Sequence, residues 1–303
     1  MTQETIRASV VLATIGGPDK SERLEEVLAA LEQIEEVEEI VVVWQGDPDS
    51  PLIPSGYRGL RVILSGTKAS SHARNAGAEF ATSDWLWFLD DDTVPVGSDY
   101  LRRAARYLAE NDCQFAIANV RTSGEISVAP RIEQSFLYDT PGGVREFWEP
   151  GLLIPRQLFL AYRYDERLGP GCLHASSEGH DLGLRLVIGG VKGIRHADLE
   201  LDHPPLILDD SYGNKIAFYA FGNGLVLLRY GFYLRYAVVL AKTLAKILIA
   251  ALRLKFREAK WTVIRLWALL LGPLLLPQSP FVRGAPPREL KAAPKLKSVR
   301  GGA

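Results

Sequence analysis

Hydrophobic and polar positions follow two rhythms along the first two thirds of the chain. Short, nearly unbroken apolar runs at Ile6 to Thr14, Ile40 to Trp44, Leu60 to Ser65 and Trp85 to Leu89 have the length and the β-branched or aromatic content of strands buried on both faces. Between the first two, Leu24, Val27, Leu28, Leu31 and Ile34 recur three and four residues apart with acidic residues interposed, which predicts a helix with one core-facing stripe. The spacing predicts further helices over Ser70 to Ala81, with Ser70 or Ser71 as N-cap, and over Ser98 to Asn111. Strand, helix, strand, strand, helix, strand is the opening of an α/β fold: a mostly parallel sheet flanked by helices.

Strand character resumes at Cys113 to Val120. From Gly124 to Gly151, Pro130, Pro141, Gly142, Gly143 and Pro150 break every periodicity, so the reading there is a long excursion over the sheet edge, free to move. A short strand at Leu152 to Pro155 and a helix at Gln157 to Tyr162 follow. Asp181 to Ile188 is a clear helix stopped by Gly189 and Gly190, and Gly193 to His203 runs as a strand that puts His203 at its end.

The run Trp85-Leu-Trp-Phe-Leu ends abruptly in Asp90, Asp91 and Asp92. Three neighbouring carboxylates repel one another, and their delivery by a buried strand to a sheet edge makes sense where a cation or sugar hydroxyls offset the charge. Mg²⁺ or Mn²⁺ suits such a tip, because these ions accept a few carboxylates and complete their coordination with phosphate oxygens, which implies a diphosphate co-ligand. In extended backbone Asp90 and Asp92 share a face and Asp91 points away. The competing reading of Asp-Asp-Asp-Thr is a helix cap or an acidic turn.

A chain of 303 residues, 47% hydrophobic and 23% charged, can bury a large core in one domain plus an appendage. Cys113 and Cys172 lie far apart and outside any CxxC pattern, which indicates neither a disulfide framework nor a zinc site and fits a reducing cytoplasm. The N-terminal Met-Thr-Gln-Glu-Thr-Ile-Arg has neither the basic segment nor the apolar core of a signal peptide, so the catalytic part is expected to stay inside the cell. A net charge of −1 hides a division: from Arg229 onward 15 Lys plus Arg face 2 Glu, a net of +13. Such asymmetry points the C-terminal part towards an anionic surface.

Phe232 to Leu254 is apolar, but Lys242 and Lys246 sit in its middle, which argues against a membrane span and for an amphipathic helix lying among lipid headgroups. Trp261 to Leu276 is interrupted by Gly272 and Pro273. The alternative is a pair of helices packed on the catalytic domain or on another subunit. The expected division is therefore 1–228 catalytic, 229–282 amphipathic and membrane-associated, and 283–303 a disordered basic tail.

In their order, these segments resemble the family 2 glycosyltransferases of GT-A fold over about residues 8 to 228. Val10-Val-Leu-Ala-Thr14 resembles the family's first nucleotide-binding strand, Ala73-Arg74-Asn75-Ala76-Gly77 the segment beneath the donor, and Phe88 to Asp92 its DXD strand. Tyr164-Asp165-Glu166-Arg167 and Glu178-Gly-His-Asp181-Leu-Gly-Leu-Arg185 resemble its acceptor-side elements, and His203 the histidine that completes the metal site. The resemblance implies transfer of a sugar, with inversion, from a nucleotide-diphosphate donor to a lipid-linked or growing surface glycan at the cytoplasmic face of the membrane, with no nucleic-acid partner. It implies a donor site at Thr14, Gln45, Arg74, Asp90 and Asp91, and Mg²⁺ or Mn²⁺ on Asp92 and His203. Arg74 reads either as a diphosphate ligand or as the partner of an acidic surface neighbour.

Two departures stand out. Trp44-Gln45-Gly46-Asp47 replaces the family's Asp-Asp-Gly-Ser, leaving Gln45, whose amide both donates and accepts, for the base edge. Gly179 stands where the family's Glu-Asp pair has its Asp. The general base is then Glu178 or Asp181, with Glu178 favoured because Asp181 falls where a helix cap is predicted. A nucleotidyltransferase and a catalytically inactive nucleotide-binding scaffold are the competing functions.

Overall fold

The computed structural model describes residues 5–49, 51, 53–122, 127, 129–145, 147–206, 210–281 and 284–290. Its N-terminal half runs β1 (Ala8–Thr14), α1 (Pro18–Glu32), β2 (Val37–Trp44), β3 (Leu60–Leu64), α2 (Ser70–Phe80), β4 (Trp85–Asp90), β5 (Val94–Pro95), α3 (Tyr100–Glu110) and β6 (Phe115–Arg121). It continues with β7 (Phe136–Tyr138), β8 (Leu153–Pro155), α4 (Arg156–Tyr162), α5 (Glu178–Ile188), β9 (Gly193–Asp202), α6 (Asp210–Arg229), α7 (Tyr233–Leu252), α8 (Phe256–Leu271) and β10 (Arg288–Glu289).

One ten-stranded sheet carries the order β10-β3-β2-β1-β4-β8-β6-β9-β5, with β7 beside β9. The expected parallel pairing holds over β3-β2-β1-β4. Beyond β4 the sheet is mixed, because β8 enters antiparallel between β4 and β6. Side chains of successive strand residues point to opposite faces, so an apolar run feeds two cores. Trp87 and Leu89 pack with α1 and α3 on one face, while Leu86 and Phe88 pack with α2, α4 and α5 on the other. Trp87 stacks on Tyr100 at 4.5 Å between ring centroids, and Phe88 lies 4.7 Å from Phe159. Each fully buried side chain of this size contributes on the order of 2 kcal/mol or more, which makes β4 the best-anchored strand to end in charge.

Several expectations are corrected. Helix α2 is capped by neither Ser70 nor Ser71: its cap residue is Ala69, and the Ser71 hydroxyl donates to the Leu168 carbonyl at 2.7 Å. Helix α5 starts at Glu178, so Asp181 lies within its first turn and is not its cap; Ser177, left-handed at φ 69°, turns the chain into it. The last part of the Gly124–Gly151 excursion is bound to the sheet, since Gly151 N–H donates to the Phe88 carbonyl at 2.6 Å and Phe88 N–H to the Leu152 carbonyl at 2.9 Å. Glycine is required there: φ is +101° and a Cβ would lie 2.3 Å from that of Ala118. Residues 123–126, 128 and 146 of that excursion lie outside the described residues.

The tail expected to be disordered from Arg283 is in part a strand. Arg288 and Glu289 pair antiparallel with Leu64 and Ile63, and Glu289 holds Arg61 at 2.9 Å. Backbone crosses backbone at Gly66 and Gly284, where no Cβ fits. Residues 291–303, also part of that expectation, lie outside the described residues. No described helix is long and apolar enough to cross a membrane. Helices α6, α7 and α8 share a small core of Ala220, Ala268 and Leu269, and α7 leaves Leu234, Leu248 and Leu252 exposed.

Candidate active site

The carboxyl ends of β1, β2 and β4 lie side by side and bring Thr14, Gln45 and the acidic tip to one edge. Gln45 N–H donates to the Thr14 carbonyl at 2.8 Å, while the Gln45 side-chain Oε1 is buried with no hydrogen-bond donor among the described residues. A buried acceptor left open costs about 1–3 kcal/mol, so an incoming donor group is favoured there.

Asp-Asp-Asp-Thr does form an acidic turn: the Asp90 N–H donates to Thr93 Oγ1 at 3.0 Å, and Thr93 N–H returns to the Asp90 carbonyl at 3.2 Å. That turn sends the three carboxylates to three different partners. Asp90 Oδ1 accepts from Arg74 Nη2 at 2.7 Å. Asp91, buried, accepts from the Thr14 hydroxyl at 2.5 Å. Asp92 Oδ1 lies 3.5 Å from His203 Nε2. Repulsion among adjacent acids is thereby divided among separate partners.

Asp92 and His203 meet because β5 and β9 pair as Val94↔Asp202, which leaves each residue just beyond a short ladder. The His203 ring bonds the Pro204 carbonyl through Nδ1 at 2.6 Å. Nδ1 donates that bond, which fixes the ring with Nε2 on the side facing Asp92, the orientation a metal-ligating histidine takes. Among the described residues no three His, Cys, Asp or Glu converge on one point. The donor set is therefore one carboxylate and one imidazole, which suits Mg²⁺ or Mn²⁺ only with phosphate and water completing the shell.

Arg74 is buried and not at the surface; neither sequence reading placed it between two acids. It contacts Asp90 at 2.7 Å and approaches Glu178 Oε1 at 3.8 Å, and its Nε and Nη1 have no hydrogen-bond partner among the described residues. Burial opposes its charge, but Asp90, Glu149 and Glu178 outweigh that and hold the guanidinium charged. Asn75 fixes this segment by donating to the Tyr164 carbonyl and to Glu166, each at 3.0 Å.

On the acceptor side Glu178 is 3% exposed and its Oε2 has no donor among the described residues. Burial first, then the charge of Glu149, raise it well above the usual carboxylate range, against the opposing pull of Arg74. Asp181 faces elsewhere. It accepts from Arg185 at 2.8 Å, Arg229 at 2.9 Å and the Tyr230 hydroxyl at 2.9 Å, and so ties α5 to α6. Asp165 and Arg167 pair with each other at 2.8 Å, as the turn reading expects.

Two residues escaped the sequence reading. Trp148 sets its edge towards His203, 6.1 Å between ring centroids, and the Glu149 carboxyl fills the space beside Gly179. Both lie in the Pro- and Gly-interrupted stretch, where periodicity carries no signal; the only pointer was the absence of a side chain at Gly179.

A mixed sheet whose central parallel strands gather an acidic turn and a buried arginine at their carboxyl edge, beside an Asp–His pair, defines an α/β protein of the kind that binds ligands at that edge. The family model described as glycosyl transferase family 2 matches residues 9–163, just over half of the chain. The chain belongs to that family and is a glycosyltransferase. The matched span holds Thr14, Gln45, Arg74 and the acidic tip, while Glu178, Asp181 and His203 lie beyond it.

Among solved structures, the S. aureus TarS fragment 1–349 is similar at 15% identity and a TM-score of 0.53 over 71% of this chain. This chain spans 64% of that fragment's length. A mannosyltransferase from Pyrobaculum calidifontis, PcManGT, in complex with GDP-Man and Mn²⁺, is similar at 14% identity and a TM-score of 0.55, covering 89% of this chain and 88% of the other. The likeness establishes the shared GT-A fold. No curated protein matches the chain in sequence.

Proposed function

We propose that the chain is a metal-dependent, inverting glycosyltransferase that moves one sugar from a nucleotide-diphosphate donor to a lipid-linked or growing surface glycan at the cytoplasmic face of a membrane. The observation that carries this reading is the divided acidic tip, with Asp92 and His203 3.5 Å apart beside an open buried acceptor at Gln45. Thr14, Gln45, Asp90 and Asp91 receive the nucleoside and sugar. Arg74, held charged at the floor of the site, orients the diphosphate through its unbonded Nε and Nη1. Asp92 and His203 would hold Mg²⁺ or Mn²⁺, which neutralises the departing diphosphate when bound.

In-line attack needs a base on the acceptor side. Asp181 is engaged by Arg185, Arg229 and Tyr230, so the base function falls to the centre around Glu178. The two similar structures that name a donor, TarS with UDP-GlcNAc and PcManGT with GDP-Man and Mn²⁺, support a nucleotide sugar and a divalent ion. Gly179 is the observation that favours a catalytically inactive scaffold.

The membrane part rests on α7. Leu234, Val238, Leu248 and Leu252 form an exposed apolar stripe, with exposed Lys242 and Lys246 beside it. Apolar side chains entering the acyl boundary while lysines meet anionic headgroups is the arrangement of an interfacial helix.

Hydrolysis of UDP-GlcNAc and GDP-mannose by the full chain, with Mn²⁺ and with EDTA, tests the transfer. Turnover of either donor that needs metal and disappears in Asp92→Asn supports it; no binding and no turnover refutes it. Flotation with phosphatidylglycerol vesicles tests the surface: binding is expected for the wild type and not for Leu248→Glu/Leu252→Glu, and equal flotation of both rejects the α7 stripe.

A further inference from the structure

Glu149 and Glu178 occupy a space that two glycines create. A Cβ on Gly169 would lie 2.8 Å from Glu178 Cδ, and a Cβ on Gly179 would lie 2.9 Å from Glu149 Cδ. The Glu149 carboxyl lies against Gly179, the residue next to Glu178, and the two carboxyls interact side chain to side chain; with both ionised, Glu178 Oε2 has no donor among the described residues. The facing titratable groups are Arg74, Asp90, Tyr164 and Cys172. The single cation among them spends its short contact on Asp90 at 2.7 Å and stands 3.8 Å from Glu178. Two carboxyls in contact in a buried site cannot both ionise cheaply, and one proton between them supplies the missing donor.

The members differ in access. Glu178 is 3% exposed behind Gly169, whereas Glu149 is half-buried, on a segment bound to β4 through Gly151 and bordering His203 through Trp148. We infer that Glu149 is a catalytic residue, the acceptor-facing member of a carboxyl pair that shares one proton with Glu178 and removes the proton of the acceptor hydroxyl. The inference rests on the transfer reading above and specifies its base. The acceptor oxygen bonds the anomeric carbon as its proton passes to Glu149, and the sugar–phosphate bond breaks with its electron pair leaving on the diphosphate. Glu178 is the positioning residue, and Gly179 is what lets Glu149 reach this place.

Three variants and two readouts test it. In Glu149→Gln, kcat for hydrolysis of UDP-GlcNAc or GDP-mannose is expected to fall by ~10²-fold or more, with nucleotide affinity unchanged. Gly179→Asp alone is expected to be inactive, because its side chain meets Glu149; in Glu149→Ala/Gly179→Asp the new carboxylate enters the vacated space and restores turnover. Independently of activity, ¹³C-carboxyl titration of glutamate-labelled protein is expected to show one carboxyl titrating well above the ordinary range, lost in Glu149→Gln. Full turnover in Glu149→Gln with the titration unchanged overturns the inference and leaves the transfer reading standing. A wild-type chain that consumes neither donor refutes the transfer reading; the titration then decides the pair, its loss in Glu149→Gln supporting the shared proton and its persistence overturning it.

Discussion

Glu178→Gln separates the cost of a buried acid from its use. Glu178 is 3% exposed, and burial and Glu149 raise its proton affinity well above the usual range. In the unfolded chain the same carboxyl ionises near 4.5. Above that pH the unfolded state has released a proton that the folded state still holds, so stability falls as pH rises until the folded pKa is reached. Gln has the shape of the protonated acid and carries no titrating proton. The stability difference, variant minus wild type, is therefore expected to be flat below pH 4.5 and to grow by ~1.4 kcal/mol per pH unit above it, up to the folded pKa.

Urea denaturation of both proteins from pH 4.5 to 7.5 measures this, and titrating groups remote from the Glu149–Glu178 pair cancel in the difference. At neutral pH the variant is expected to be the more stable protein, its amide N–H donating to Glu149. A flat difference over the whole range would mean that Glu178 ionises as it does in solution. A difference that falls with pH would mean that Arg74 holds it as a salt bridge; either result refutes the reasoning.

Arg74→Met takes the charged donor from half-buried Asp90 and is expected to cost ~1.5–3 kcal/mol in urea denaturation, with Arg74→Lys recovering part of it through one charged contact. Asp92→Asn and His203→Ala are each expected to weaken Mn²⁺-dependent binding of UDP or GDP by at least ~10-fold in calorimetry, while binding without metal is unchanged. His180 is pushed down to about 4, by burial and then by Arg235. Its unfolded form takes up a proton near 6.5 while the fold keeps it neutral, so stability is lost as pH falls from 6.5 towards 4. His180→Asn is expected to flatten that loss in acid denaturation.

What was legible in the sequence follows the reach of each signal. Val10-Val-Leu-Ala-Thr14 and Trp85-Leu-Trp-Phe-Leu announced strands because both faces of a central strand must be apolar, and composition alone reports that. The acidic tip was legible for the converse reason, charge placed against such a run. The antiparallel entry of β8 was not, because a three-residue strand carries no record of its direction. Helix α5 starting at Glu178 was missed because its first turn, Glu-Gly-His-Asp, holds a glycine and an acid that propensity assigns to a cap. The burial of Arg74 was hidden because its partners, Asp90 and Glu178, stand 16 and 104 positions away in a chain read locally. Strand β10 depends on contact between Gly66 and Gly284, which no local pattern encodes.

The acidic tip shows how such a distant contact decides chemistry. Three aspartates in a row would share one fate if local sequence governed them, each raising the proton affinity of the next. The Thr93 turn separates them, and each then takes its character from a different element: Asp90 from α2 through Arg74, Asp91 from β1 through Thr14, Asp92 from β9 through His203. Asp91 also holds β1 to β4, and Asp90 also balances a buried cation. Asp92 faces an imidazole nitrogen, which brings a second type of metal-ligating group to one of three identical side chains. A single Asp at that position, delivered by the same strand and opposed by the same histidine, would keep the ligand; it would take from Arg74 its 2.7 Å ion pair and leave it the longer approach to Glu178 at 3.8 Å.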